Sequence, residues 1–473
     1  MTKKVEMKTL VDFCKARWFV YAWSEIYWWL ANSWDYGPYW SLLKENIKNL
    51  WIKEFVQKKP DMMLIDSSIL LNPKIWEASW HVWGFSDPLI DDKNTNERFR
   101  ADKLLEDLIE KFWEKSSDLI AKYKLPNLVP ESWSLELQTQ VMIEEKVLNP
   151  NTKTPWNWSD VKKFNLMYKT FQWVTEDSTA TVYLRPETAQ WIFVDFANVL
   201  RTSRRKIPFG IAQVWKAFRN EITPWNFIFR TREFEQMEIE YFCEPWKDLE
   251  THKEWKENCM NFLTKTLSIK KENLRLRDHE IDELSHYSAA TTDIEYKYPF
   301  GFWELWGIAD RTDFDLKSHM THSKQDLSYF DPVNNKKFIP YVIEPSVWLT
   351  RLLLATLLDA YTIEWEWEEE RIYLKLDPKV APIKVWVLPV IKKIWDDAKK
   401  IFTQLSEDFF CEYDEVWSIG KRYARFDEIW TPFCVTIDSE NFNLWKVTVR
   451  FRDTMEQEIV EINKLNEFLK QKM

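Results

Sequence analysis

Between Ser41 and Gln57 the apolar residues Leu42, Leu43, Ile47, Leu50, Ile52 and Phe55 recur at helical spacing, which predicts an amphipathic helix. The run MMLIDSSILLNP then reads as an extended segment ending at Pro73, and NERFRADKLLEDLIEKF as a helix with Asn94 or Thr95 placed to cap it. TVYLRPETAQWIFVDFANVL, from Thr181, predicts a strand and then a helix opening near Pro186, with Glu187 in its first turn, where the helix dipole favours a carboxylate. IEPSVWLTRLLLATLLDAY, from Ile343, repeats the sequence strand, turn, helix, with Arg351 in the helix's N-terminal turn. Phe218 to Glu240, FRNEITPWNFIFRTREFEQMEIE, reads as strand, loop, strand. Alternation sets Arg219 and Glu221 on one face of the first arm and Phe234, Gln236 and Glu238 on one face of the second, so both faces can line one pocket.

Residues from about 110 to 165 are polar and broken by prolines, those from about 245 to 295 suggest a helical excursion, and both read as insertions. From Ala381, short strands alternate with helices and imply a small mixed α/β domain. The expected class is therefore α/β in the α+β sense, with units at 1–380 and 381–473.

At 473 residues the chain has room for two or three domains, and a net charge of -10 argues against a general nucleic-acid coat. Lys421, Arg422 and Arg425 still form a local basic cluster that could meet RNA phosphates or face only solvent. The five cysteines make no CxxC pair, HEIDE at 279–283 lacks the second histidine of HExxH because His286 comes three residues too late, and His319 with His322 reads as a surface feature. No apolar run reaches the roughly 18 residues of a membrane span, so a cytoplasmic protein with no membrane contact is expected.

Six glycines stand beside 30 tryptophans, whereas average usage of ~7% predicts about 33 glycines. Trp225 follows Pro224 at the corner of a turn where glycine is favoured.

Fixed guanidiniums, an aromatic plate and carboxylates in one pocket suit a nucleoside triphosphate beside an amine. Phe218-Arg219-x-Glu221, a loop, and Arg-Glu-Phe-Glu-Gln-Met-Glu resemble motif 2 of the class II aminoacyl-tRNA synthetases. The ordered set RPETAQ, REFEQME and EPSxxLTR is similar to the homodimeric glycyl-tRNA synthetases over essentially the whole chain. The resemblance implies an antiparallel catalytic sheet flanked by helices, a C-terminal anticodon-binding domain, and a dimer built on the first long helix and strand. It further implies a ligase that uses ATP, Mg²⁺, glycine and tRNA(Gly), with no structural zinc, since no cysteine lies between Cys14 and Cys243.

Carried over by position, Arg219 and Arg351 would be catalytic. ATP would be held by Arg219, Asn220, Glu221, Phe229, Arg230, Thr231, Arg232, Glu233, Phe234, Glu304, Leu305, Trp348 and Arg351, with Glu304 as magnesium ligand. Glycine and its adenylate would meet Arg100, Glu187, Phe234, Glu235, Gln236, Met237, Glu238, Glu344, Pro345, Ser346, Val347 and Trp348. Trp28, Trp29, Trp80, Trp173, Trp191, Trp215, Trp303, Trp348, Trp417, Trp430 and Trp445 fall where the family has glycine, while Trp34, Trp51, Trp76 and Trp306 match genuine tryptophans. The expectation is that UGA codons meant as glycine have been written as tryptophan, so that a literal indole at Trp348 would obstruct ATP. Two other readings stay open, a class II synthetase for another small amino acid and a non-catalytic RNA-binding relative.

Overall fold

The computed structural model describes residues 6–17, 19–22, 24, 26–27, 33–111, 116–153, 157–172, 180–222, 224–281, 283–285, 287–366 and 369–473. Trp28, Trp29, Trp173 and His286 lie outside the described residues.

A seven-stranded sheet organises the larger part of the chain. Helix α1 (Pro38–Ile52) buries Trp40, Leu43, Ile47 and Trp51, and the strand β1 (Met62–Ile65) follows. Helix α2 (Ala189–Ser203), β2 (Phe209–Phe218), β3 (Glu233–Cys243), α3 (Asp248–Asn261), β4 (Leu274–Asp278), β5 (Ala290–Tyr298), β6 (Gly301–Thr312), α4 (Phe314–Ser323), β7 (Tyr341–Trp348) and α5 (Leu349–Ala360) come next. Spatial order is β4-β5-β6-β7-β3-β2-β1, antiparallel throughout except that β1 runs parallel to β2. One face carries Met237, Ile239, Leu305, Ile308, Ile343 and Val347 into the main core with the apolar stripe of α1 and the leucines of α5. Alternation sends Phe234, Gln236, Glu238, Glu344, Ser346 and Trp348 to the other face.

Two bulges re-aim charged residues of β6. Opposite Ile294 and Glu295 the register skips Leu305, so Trp306 enters the core while Glu304 turns to the opposite face. Between Asp310 and Thr312 it shifts again, at Arg311.

Three boundaries differ from the sequence expectation. Residues 86–165, a longer stretch than the polar run from about 110, form a unit with its own apolar cluster, including Ile90, Leu105, Val141, Met142 and Trp158. Within it the helix begins at Ala101, so neither Asn94 nor Thr95 caps it; both belong to the preceding turn, where Asp92 accepts from the Asn94 amide. The excursion after β3 is helical only through α3 and its continuation to Thr266, because β4 and β5 rejoin the main sheet.

The C-terminal unit has strands β8 (Val385–Pro389), β9 (Cys411–Tyr413), β10 (Phe433–Ile437), β11 (Lys446–Phe451) and β12 (Gln457–Glu461), in the order β9-β8-β10-β11-β12. Helix α6 (Trp395–Ser406) packs on this mixed sheet. In helix α7 (Ile419–Glu428), Lys421 and Arg425 are exposed, but Arg422 is buried and donates to the carbonyls of Pro389 and Asp414. Arg422 therefore leaves the expected basic cluster: it holds the end of β8.

Trp80, Trp417, Trp430 and Trp445 have φ of 65°, 79°, 78° and 56°. This left-handed region costs a residue with a Cβ roughly 1–2 kcal/mol and costs glycine nothing comparable. All four stand where the resemblance expects glycine, and none of Trp34, Trp51, Trp76 and Trp306 shares the conformation. Trp225 is not left-handed; the turn places that conformation at Asn226 and Phe227 instead. Because Trp417 and Trp445 are exposed, Trp417→Gly and Trp445→Gly are each expected to raise unfolding free energy by up to about 1 kcal/mol. Urea denaturation checks this, and a loss of stability in both variants would contradict the backbone argument.

Candidate active site

The loop between β2 and β3 is closed by hydrogen bonds from the Arg219 amide to the Arg232 carbonyl (2.9 Å) and from the Asn220 amide to the Leu166 carbonyl (2.7 Å). Arg230 donates to Glu221 at 2.9 Å and the Arg232 guanidinium donates to the Glu221 carbonyl at 3.1 Å. Glu221 is buried, and its second carboxylate oxygen has no hydrogen-bond partner, which leaves an acceptor facing into the fold. Thr231 donates to the Glu233 carbonyl at 2.8 Å, and Phe229 is buried among Tyr298, Phe300 and Trp303.

Phe234 projects from β3 and lies flat against Trp348 at the end of β7, with ring centroids 3.8 Å apart and 14° between planes. The Arg219 guanidinium sits 5.4 Å from the Phe234 ring and 5.1 Å from the indole, and Arg351 lies 4.2 Å from the indole. Trp348 thus fills the slot between an aromatic plate and two guanidiniums. A cleft of about 480 Å³ opens beside Phe234, lined by Tyr36, Tyr168, Phe218, Arg232 and Thr350, and does not include that slot.

Arg351 is in the first turn of α5 and donates to Glu304 at 2.9 Å. Burial tends to raise the Glu304 carboxyl, but the charge and hydrogen bond of Arg351, together with the Arg219 and His279 charges, outweigh it and hold the pKa below the usual range. Asp293 shifts the other way, raised by burial and by the nearby Glu304 charge against the pull of His279. One oxygen of each lies 3.7 Å from the position a Cβ on Gly307 would take. Burial also lowers the Arg219 pKa, despite the charges of Glu221 and Glu187, and an anion at that end would restore its ordinary value.

Farther along the same face the pocket turns acidic. Glu187 receives Gln190 at 3.0 Å and lies 3.3 Å from His81, whose other ring nitrogen is 2.8 Å from the Ser79 hydroxyl. Burial raises its carboxyl, but His81 and Arg311 more than offset this and hold it well below the ordinary range. Glu238 accepts from the Thr188 hydroxyl and sits opposite Ser346 in the register of β3 and β7. Burial and the Glu187 charge raise it. Glu344 is pushed up to about 8, chiefly by burial, although Arg311 donates to it. Arg311 also makes a two-pronged contact with Asp315, at 2.8 and 2.9 Å, and is covered by the Tyr287 ring.

Several expected residues are placed elsewhere. The side chains of Met237, Leu305 and Val347 enter the core; Pro345 follows its cross-strand partner Ile308 to the same side. Glu233 is exposed and paired with Lys216, and Glu235 is paired with Lys44 of α1; both line the cleft beside Phe234 but not the face that carries Gln236 and Glu238. These residues belong to contiguous motifs, but strand alternation gives the pocket only every second side chain. Arg100 is engaged by Asp87 at 3.1 Å and by Asp102 at 2.5 Å. Glu187 precedes the helix instead of lying in its first turn, since α2 starts at Ala189, so side chains and not backbone amides hold it. His319 is buried against Gln190 at 2.9 Å, with its pKa lowered to about 4 by burial; only His322 is at the surface. Arg311, Glu240, His81, Gln190 and Asp315 were not singled out by the sequence.

Comparison with known proteins follows this division of the chain. Residues 171–361 match the class II core domain of tRNA synthetases (G, H, P, S and T), residues 384–472 an anticodon binding domain, and residues 87–126 insertion domain 1 of glycyl-tRNA synthetase. The glycine-tRNA ligase of Acetivibrio thermocellus is 55% identical over 98% of this chain and 98% of its own. Those of Ruminiclostridium cellulolyticum (53%; 100% and 99%) and Staphylococcus aureus (50%; 99% and 99%) are similar over the same extent.

Removing Arg311 would leave Asp315 and Glu344 buried without their cation. Arg311→Met is expected to cost about 3–5 kcal/mol of stability in urea denaturation. A cost below about 1 kcal/mol would show that the guanidinium does not hold this end of the pocket.

Proposed function

The chain belongs to the glycine-tRNA ligase family, and from that premise we propose how its residues carry out the reaction of an aminoacyl-tRNA ligase. The observation that carries the reading is the convergence, on one sheet face, of Glu187, Glu238, Glu344 and Ser346 with the plate formed by Arg219, Phe234 and Arg351. The first group suits an ammonium and the second a nucleoside triphosphate.

The glycine carboxylate attacks the α-phosphorus of ATP, the bond to the bridging oxygen breaks, and pyrophosphate leaves glycyl-adenylate. A hydroxyl of the tRNA's 3′-terminal ribose then attacks the glycyl carbonyl and AMP departs. No protein nucleophile is required. Phe234 stacks on adenine, and the unpartnered Glu221 oxygen accepts from its exocyclic amine. Arg219 and Arg351 stabilise the charge that develops on the phosphates, from positions fixed by Pro186 and by the first turn of α5.

Glu304, with Asp293 beside it, fits a magnesium ion, because the partly exposed Glu304 carboxylate and the buried Asp293 carboxyl repel one another and a cation would relieve this. The bound ion supplies charge compensation for the triphosphate. The acidic pocket grips the ammonium, and its crowding is what would reject larger amino acids. This arrangement favours glycine over another small amino acid and counts against a non-catalytic role.

The unit at 1–380 is assigned to catalysis and that at 381–473 to the anticodon. A homodimer built on α1 and β1, and residence in the cytoplasm, complete the reading; among the described residues no helix is long and apolar enough to cross a membrane. We also assign glycine to position 348 in the protein as made by its own ribosomes, with UGA read as glycine. The indole stacked on Phe234 occupies the place of the base, and the four left-handed tryptophans support the same assignment.

Two measurements check these assignments. Base stacking on an aromatic ring is worth ~1–3 kcal/mol, so Trp348→Gly should tighten ATP binding by about tenfold or more in calorimetry. Equal affinity with the indole present would contradict the slot. Glu187→Ala should lower kcat/KM for glycine in tRNA charging about a hundredfold, the loss of one charge-assisted contact; unchanged kinetics would remove Glu187 from the site.

A further inference from the structure

Glu240 follows Glu238 on the pocket face of β3 and is fully buried, yet neither of its carboxyl oxygens has a hydrogen-bond partner. One carboxyl oxygen each from Glu238, Glu240 and Glu344 lie within 4.8 Å of one another. Charged groups face Glu240 from every side: Glu344 on β7, Arg311 on β6, Asp315 on α4 and Glu238 on its own strand, with Glu187 beyond them. Arg311 is committed to Asp315 through two N–H groups and to Glu344 through a third. Three carboxylates this close, two of them buried and the third nearly so, sharing one partly committed guanidinium, cannot all be ionised.

We propose that the cluster of Glu238, Glu240 and Glu344 stores a proton when the pocket is empty and that the ammonium of glycine takes its place, so that glycine binds with release of a proton. The inference rests on the reading that this pocket holds glycine. An O–H bond of one carboxyl breaks and its proton goes to solvent. The ammonium keeps its own protons and donates to the carboxylate that results, so the charge of the pocket is conserved.

Burial raises Glu238, Glu240 and Glu344, the last to about 8, while Glu187 stays ionised against His81 and is not the store. The sign follows. Below about pH 8 the empty cluster is protonated and glycine must displace a proton, so affinity rises with pH across that window, by up to about tenfold per unit for one proton.

Glycine is titrated calorimetrically into the full chain at pH 7 in buffers of low and high ionisation enthalpy, phosphate and Tris, which counts the protons released. About one proton per glycine is expected, with tighter binding at higher pH. Glu240→Gln keeps the shape but removes one carboxyl, and should bind glycine with less proton release and a flatter pH profile. Glycine binding without proton release would overturn the proposal and leave the site assignment standing. Undiminished release from Glu240→Gln would overturn it too, by placing the proton elsewhere. No glycine heat in any buffer would remove the glycine reading and the proposal with it. Should Glu240→Gln fail to fold, the buffer series on the unsubstituted chain decides.

Discussion

Arg311 is one guanidinium among five carboxyl groups, those of Glu187, Glu238, Glu240, Glu344 and Asp315, and the character of the pocket follows from that imbalance. Asp315 holds the guanidinium by two contacts and so fixes where the remaining N–H groups can point. Glu187 is held by contacts with His81 and Gln190 and by the Arg311 charge. Glu238 and Glu344 remain undercompensated, and a cation entering between them restores their ordinary ionisation. The opposite end has the complementary deficit, since Arg219 is half-buried with its charge disfavoured and an anion would relieve it. A pocket short of a cation at one end and of an anion at the other is matched by an ammonium and a polyphosphate held together. Glycine and ATP, which we propose this pocket holds, are such a pair.

Strand alternation made part of this legible from the residues alone. Phe234, Gln236 and Glu238 share a face as their spacing requires, and Arg351 falls in the first turn of its helix. Alternation also shows why a contiguous motif overstates a site. Within Glu233 to Glu238, the odd positions serve Lys216, Lys44 and the core. What periodicity could not show depends on irregularity. Glu304 was expected at the site only through the family resemblance, and it turns to the pocket face because the ladder skips Leu305; Arg311, which was not expected, reaches Glu344 beside a second bulge, and neither shift leaves a mark in apolar periodicity. Arg422 and His319 were misjudged for a related reason, because a charged or polar residue in a polar segment reads as solvated until its buried partner, distant in sequence, is known.

The tryptophans join composition to backbone geometry. A residue count alone suggested an exchange of symbols; φ values place four indoles where a Cβ is disfavoured, and packing places a fifth on the face of Phe234. These are independent kinds of constraint, one acting on the backbone and one on the volume of a slot, and both are met by glycine. Three of the four left-handed positions, Trp417, Trp430 and Trp445, lie in the C-terminal unit and the fourth, Trp80, lies in the larger unit, so the feature is not confined to one of them.

The measurement that bears most directly on the central claim is ATP-pyrophosphate exchange, run with each of the twenty amino acids on protein carrying glycine at the suspect tryptophan positions. Exchange stimulated by glycine and by none of the others is the expected result, because the undercompensated carboxyls call for an ammonium and we propose that their crowding around it rejects a side chain. Comparable exchange with alanine or serine, or none with any amino acid, would contradict the account.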